Sequence, residues 1–255
     1  MQILGFDAET VRREMGDPAR RAMRLFIAAR TRFAEMKLAE AIAQRGVLQL
    51  VVLGAGLDTF AYRSPLAGQL SIFEVDFPAT QAWKQRRLQE TGIAAPGNLT
   101  YAPVNFETDD LIERLEATGF DRKQRSYFLW LGVVPYLTRE AIMATLTAVG
   151  GLSGGAEIAF DYSNPSREEE MNAEQQAARE AFLARVASVG EPILSYFETS
   201  ELHTEIAARG LGEITDFGPR DIIEVLALPF VPPANPVVLE NIPARGGHVV
   251  HAATR

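Results

Sequence analysis

Five short apolar runs, each followed by a turn or a stretch of helical periodicity, restrict this chain more than any other feature. They are "LQLVVLG" (48–54), "LSIFEVD" (70–76), "LTYAPVNF" (99–106), "RSYFLWL" (125–131) and "AEIAFDY" (156–162). Each is too short for a buried helix and nearly continuous in apolar residues, which is how strands covered on both faces read. Helical stretches run from Pro78 to Glu90, from Asp109 to Thr118 and, after Thr138, to Val149. This alternation predicts an α/β chain with a mainly parallel, doubly wound sheet. Ligands of such sheets lie at the carboxyl ends of strands, near the point where strand order reverses. Those ends are Gly54–Asp58, Glu74–Asp76, Asn105–Phe106, Leu131–Tyr136 and Asp161–Tyr162.

The flanks read differently. A long helix spans Asp17 to Arg45, with Pro18 in its first turn and Gly46 as its stop. After the fifth strand, Ser166 and Glu169 form a capping box that opens a polar helix to about Val189. The acidic run Glu168–Glu170 falls in its first turn, where it complements the helix dipole. A second short helix covers about Ser200–Arg209. "LGEITDFGP" and "GGHVVHAAT" read as two closing strands, an antiparallel pair, around a Pro-rich loop at 229–236.

Composition narrows the function. The 255 residues contain no cysteine, which excludes disulfides, thiolate metal sites and cysteine nucleophiles. A net charge of −8 gives none of the basic field on which non-specific nucleic-acid binding relies. Arg20, Arg21 and Arg24 read as a solvated helix face. No apolar run has the length of a membrane span, and no basic-then-apolar leader opens the chain. The expectation is a soluble, cytoplasmic protein without nucleic-acid or membrane partners.

Gly54-Ala55-Gly56, at the end of the first strand, is the turn of a nucleoside site, and Glu74 and Asp76 follow at the end of the next strand. A carboxylate there can accept both ribose hydroxyls of a nucleoside whose tail lies over the glycines. The cofactor is the open question. A dinucleotide needs its pyrophosphate at the helix N-terminus and a third glycine for close packing, but this chain has Thr59 there and Asp58 beside it. S-adenosylmethionine (SAM) carries a sulfonium and an ammonium group and no phosphate, so nearby carboxylates suit it. No tyrosine is followed four residues later by lysine, so the usual pair of short-chain dehydrogenases is missing.

Two further motifs fail on context. "GLSGG" (151–155) matches a nucleophile elbow but follows a helix and precedes a strand, the reverse of what an elbow requires. The histidines are His203, His248 and His251, the last two at alternating-strand spacing with no carboxylate nearby in sequence; no metal site is expected.

"VVLGAGLDTFAYR", "FEVDFPATQAWK", "GVVPYLT" and "IAFDY", in that order, resemble the leucine carboxyl methyltransferase family and its bacterial SAM-dependent relatives. The resemblance runs from about Arg30 to Tyr162 and more weakly to the C-terminus. It implies the class I methyltransferase (Rossmann-like) fold, with seven strands and the last antiparallel. Residues 1–255 would form a single domain: an N-terminal helix (17–46), a cofactor-binding core (47–162), a helical lid (163–210) and closing strands (211–255). It implies that Arg30 grips the methionine carboxylate of SAM, a task suited to a fork of donors. Gly54, with Ala55, Gly56 and Asp58, would lie beneath the methionine moiety. Asp76, with Glu74 close by, would hold the ribose, and Asn105 and Phe106 would flank the adenine. Two positions depart from the family: Asn105 replaces an Asp, and Leu131 replaces a Glu near the cofactor.

These readings converge on a SAM-dependent O-methyltransferase acting on a carboxylate or hydroxyl of a small molecule or peptide. A carboxylate acceptor is already ionised and needs no base, whereas a hydroxyl wants one. Tyr162, His203 and Tyr136 are the candidates to orient or deprotonate an acceptor. Two rival readings stand: an NAD(P)-dependent Rossmann oxidoreductase, and a SAM- or nucleoside-binding protein without catalysis.

Overall fold

The computed structural model describes residues 9, 21–167, 171–188, 190, 192–227 and 245–255. Among them seven strands form one sheet in the order β3-β2-β1-β4-β5-β7-β6. The strands are β1 (Gln49–Leu53), β2 (Ser71–Asp76), β3 (Leu99–Pro103), β4 (Ser126–Trp130), β5 (Ala156–Ser163), β6 (Glu213–Phe217) and β7 (Gly247–Ala253). The first five pair in parallel, and β7 runs antiparallel to both β5 and β6. This is the expected doubly wound sheet, and its order reverses at β1, between β2 and β4.

The strands read as unbroken apolar runs because both faces are covered. Val51, Leu53, Phe73, Val75, Phe128, Trp130, Ile158 and Phe160 face one layer, shared with Leu115, Leu146 and Ile206 of helices α4 (Leu111–Glu116), α5 (Arg139–Gly150) and α7 (Thr199–Ala208). Leu50, Val52, Ile72, Tyr127, Leu129 and Ala159 face the other. That second layer takes Ala34, Leu38 and Ala41 of α1 (Arg21–Arg45) and Phe60 and Ala61 of α2 (Phe60–Arg63). Alternate side chains of each strand thus enter opposite layers, the period of two that a pleated strand imposes. Tyr127 is fully buried in the second layer, and its hydroxyl donates to the Ala34 carbonyl at 2.9 Å, which pins α1 to the sheet.

Local chemistry sets the element ends. Helix α3 (Pro78–Glu90) begins on a proline whose missing N–H would have no intrahelical partner. Helix α4 is shorter than the expected 109–118 because the Asp110 side chain caps the Glu113 amide at 2.9 Å. Strand β3 stops at Pro103, short of Phe106, because Asn105 turns the chain: its Oδ1 accepts the Glu107 amide at 3.0 Å. Helix α6 spans Ala173–Ser188, and Glu169 of the expected capping box lies outside the described residues. Glu168–Glu170, Val189, the loop at 229–236 and residues 17–20 of the expected first helix lie outside the described residues. Among the described residues no helix is long and apolar enough to cross a membrane.

Candidate functional site

Strand β1 ends in the glycine turn, at the reversal point of the sheet. Gly54 (φ 64°) and Gly56 (φ 45°) are left-handed, a conformation that only glycine adopts without strain. At Gly54 a Cβ would also run into the side chain of Val133, which follows β4. The turn is stitched to β2: the Ala55 amide donates to the Val75 carbonyl at 2.9 Å and the Gly56 amide to Asp76 Oδ2 at 2.5 Å. Asp76 Oδ1 accepts the Phe77 amide at 2.7 Å, so this carboxylate is aimed across the turn by two backbone donors. Asp58 Oδ1 accepts the Phe60 amide at 2.7 Å and starts α2. Burial pushes the Asp58 carboxyl above its ordinary range, against the pull of that amide and of Lys84.

A cleft of about 250 Å³ opens on this turn, lined by Arg30, Thr31, Val52 to Asp58, Leu129 and Leu131. Arg30 reaches it from α1. Its Nη1 donates to Asp161 Oδ2 at 2.6 Å, and Asp161 Oδ1 accepts the Gly132 amide at 2.5 Å. One carboxylate therefore fastens both the α1 arginine and the β4 turn. Burial raises the Asp161 carboxyl despite Arg30 beside it. The Nε of Arg30 is buried and has no hydrogen-bond partner. A buried donor without a partner is uncommon in folded chains.

The structure thus gathers Arg30, Gly54, Ala55, Gly56, Asp58 and Leu131 around one cleft, with Asp76 beside the turn. Glu74 is placed elsewhere. It is 1% exposed beneath the turn, and Lys84 Nζ of α3 donates to its Oε2 at 2.6 Å. Asn105 and Phe106 follow β3 outside the cleft lining, the Asn105 carbonyl oxygen engaged by its own turn. Tyr136 sits in a single turn of 3₁₀-helix, Val134–Tyr136, after β4.

Tyr162 and His203 share one partner, Asp216, and neither lines the cleft. Tyr162 is buried in the layer opposite α1 and is not among the residues that line the cleft. Its hydroxyl lies 2.6 Å from Asp216 Oδ2, which also takes His203 Nε2 at 2.7 Å. Asp216 Oδ1 takes His248 Nδ1 at 2.9 Å, and the His248 ring stacks on Tyr162. Burial pushes the Asp216 carboxyl up, but the hydrogen bonds from His248, Tyr162 and His203 outweigh it and hold the carboxyl below its ordinary range. His248 and His251 do not share a face, because residues three apart in a strand point to opposite sides. His251 enters the α1 layer and meets Glu157 Oε2 at 2.9 Å. His248 and His251 have carboxylate partners 32 and 94 residues away, beyond the reach of a local motif.

Sequence reasoning missed Lys84, whose setting "AWKQRR" reads as a solvated helix face, and Asp216, which lies on the sheet edge without a motif. Asp161 was marked only as a strand end. Its position beside Leu131–Gly132 in the paired strand is the signal that pointed to it.

The family model described as leucine carboxyl methyltransferase matches residues 4–150. YktD of Bacillus subtilis (strain 168), provisionally named an S-adenosyl-L-methionine-dependent methyltransferase, is 33% identical over 180 residues, 69% of this chain and 58% of that protein. A Mycobacterium sp. (strain JLS) protein of the same provisional name is 36% identical over 155 residues, 60% of this chain and 50% of its own length. The chain therefore spans about half to three-fifths of the curated relatives it matches. Magnesium protoporphyrin IX methyltransferase (ChlM) from Synechocystis PCC 6803, solved with bound SAH, is alike in fold alone. It has a TM-score of 0.50 at 9% identity, over 89% of this chain and 84% of that one.

Proposed function

The chain belongs to the leucine carboxyl methyltransferase family, and from that premise we propose that it is a SAM-dependent O-methyltransferase. The observation that carries the reading is the meeting of Arg30, whose Nε is buried without a partner, with the glycine turn and Asp58 around one cleft. Arg30 supplies a donor for the methionine carboxylate, while Asp161 keeps its fork in place. Gly54 and Gly56 let the backbone come close to the ligand, and Asp76 presents oxygens to the ribose hydroxyls. Asp58 and Asp76 would repel a pyrophosphate and tolerate a sulfonium. The one nearby lysine, Lys84, is turned inward on Glu74 and offers no phosphate anchor. When bound, SAM supplies a methyl group on a sulfonium that is ready to leave. The chain has to hold the acceptor in line and exclude water.

The acceptor is a carboxylate or a readily ionised hydroxyl of a small molecule or peptide. What supports this is the placement of Tyr162 and His203 away from the cleft, which leaves the cleft lining without a histidine or tyrosine as base. Residues 1–255 act as one cytoplasmic methyltransferase domain, with 163–210 covering the acceptor. Calorimetric titration with SAM, SAH and NAD tests the reading. Micromolar binding of SAM and SAH without NAD is expected. Tight NAD binding without SAM binding overturns it in favour of an oxidoreductase, and SAM binding with no methyl transfer to a broad acceptor panel favours a binding protein.

A further inference from the structure

Lys84 is 3% exposed, in a helix whose neighbouring positions carry solvated charges. Its ammonium makes two hydrogen bonds in different directions. One goes to Glu74 Oε2 at 2.6 Å, on the strand beneath it. The other goes to the Asp58 carbonyl at 2.9 Å, in the turn that walls the cleft. The Tyr62 ring lies 6.0 Å from the same nitrogen, and the Tyr62 hydroxyl is tied to that of Tyr101 at 2.8 Å. A buried ion pair contributes little net stability compared with apolar residues of the same volume, because both charges lose their water. Stability is therefore a weak reason for charges here. The geometry supplies a better one.

The turn from Gly54 to Thr59 is held to β2 at three places. Two are direct: the Ala55 amide on the Val75 carbonyl and the Gly56 amide on Asp76. The third is indirect and runs from the Asp58 carbonyl through Lys84 to Glu74. The Asp76 carboxylate would have a second task if it also holds a ribose, beside the Gly56 and Phe77 amides that it already accepts. The Lys84 link is a side-chain anchor that no ligand group would share. It fixes the far limb of the turn, the limb at which α2 begins and which carries Asp58. A carbonyl held by an ammonium has a defined direction, so the peptide planes on either side of it are defined too.

We infer that Lys84 is a positioning residue for the nucleoside cofactor: anchored on Glu74, it holds the Asp58 carbonyl and keeps the glycine turn in the shape that the cofactor meets. The cofactor half of this statement rests on the methyltransferase reading. The loop half does not. Glu74 and Lys84 accordingly act as one unit beneath the cleft, and neither touches the ligand. The carboxyl of Glu74 is pushed up to about 7 by burial against the pull of Lys84. Its second oxygen is buried with no partner. Both features describe a carboxylate placed to serve the lysine and not its own solvation.

The test uses the full chain and three variants: Lys84→Met, Glu74→Gln and the double variant, which removes both charges should either single change prevent folding. Amide hydrogen exchange is followed without any cofactor, and SAH binding is followed by calorimetry. Exchange at residues 55–60 is expected to rise about tenfold in Lys84→Met and in the double variant, with the β4 amides 126–130 unchanged. SAH affinity is expected to fall tenfold or more. Unchanged exchange in the turn, or an equal rise throughout the molecule, overturns the proposal. If the unsubstituted chain binds neither SAM nor SAH, the methyltransferase reading fails, and the exchange comparison still decides whether Lys84 shapes the turn.

Discussion

The two halves of the sheet each bury a carboxylate, and the two behave in opposite ways. Glu74 on β2 is 1% exposed and has one side-chain donor, Lys84, so burial prevails and its carboxyl is pushed up to about 7. The Asp216 side chain near the end of β6 is 6% exposed, yet three side-chain donors, Tyr162, His203 and His248, hold it below its ordinary range. Burial sets the direction only when few donors oppose it. The first half spends its carboxylate on shaping a loop that must receive a ligand. The second uses its carboxylate to tie an edge strand, a helix and the antiparallel strand into one unit.

The largest break in this comparison comes from Asp216→Ala. It leaves Tyr162, His203 and His248 without their common acceptor and is expected to lower stability by about 3–5 kcal/mol in urea unfolding. Proton linkage sharpens the contrast. Glu74 has a folded value near 7 above its ordinary 4.5, so the stability it contributes is full below about pH 4.5 and is lost as pH rises through 7. That loss is on the order of 3 kcal/mol. The Glu74→Gln/Lys84→Met double variant should lack it in unfolding measured from pH 4 to 8. Asp216 has the opposite sign: its contribution is present above the ordinary aspartate value and is lost only as pH falls below it. Exchange protection around β6 and β7 should therefore hold through the window in which the glycine turn responds.

Asp76→Ala comes next, with SAM affinity lowered tenfold or more in calorimetry, about 1.4 kcal/mol and in the range of hydrogen bonds to a charged group. Its global stability should change less than its affinity. The smallest effect belongs to Tyr162→Phe, which removes one donor from Asp216 and leaves the ring in place. About 1 kcal/mol of stability should be lost, with SAM binding unchanged within twofold; a larger loss of binding would move Tyr162 back into the site.

The first half was the more legible in sequence, and the reason is distance along the chain. Its turn, Gly54 to Asp58, is contiguous, and Asp76 follows by one strand, so a strand–turn–strand reading brings them together. The strands themselves were plain because burial on both faces leaves few polar interruptions, as in Phe128 and Trp130 on one side and Tyr127 and Leu129 on the other. Lys84 was lost because a lysine among arginines on a helix looks solvated, and only packing reveals which one turns inward. The Asp216 cluster was illegible for a different reason. Its members are 54, 13 and 32 residues from Asp216, and nothing local distinguishes a strand aspartate that will gather them.

The position of β7 between β5 and β6 has a consequence for how the protein is made. Strands β1 to β5 pair with partners on their own side of the sheet and can assemble in the order in which they leave the ribosome. Strand β6 cannot: among the described residues its only neighbour is β7, about thirty residues later in the chain. Until β7 emerges, the open edge of β5 and the whole of β6 are unpaired, which is the template on which other nascent chains can add a strand. Synthesis that pauses between Phe217 and Gly247 would expose that edge longest. The window for misassembly therefore lies between the synthesis of β6 and that of β7 and belongs to one strand.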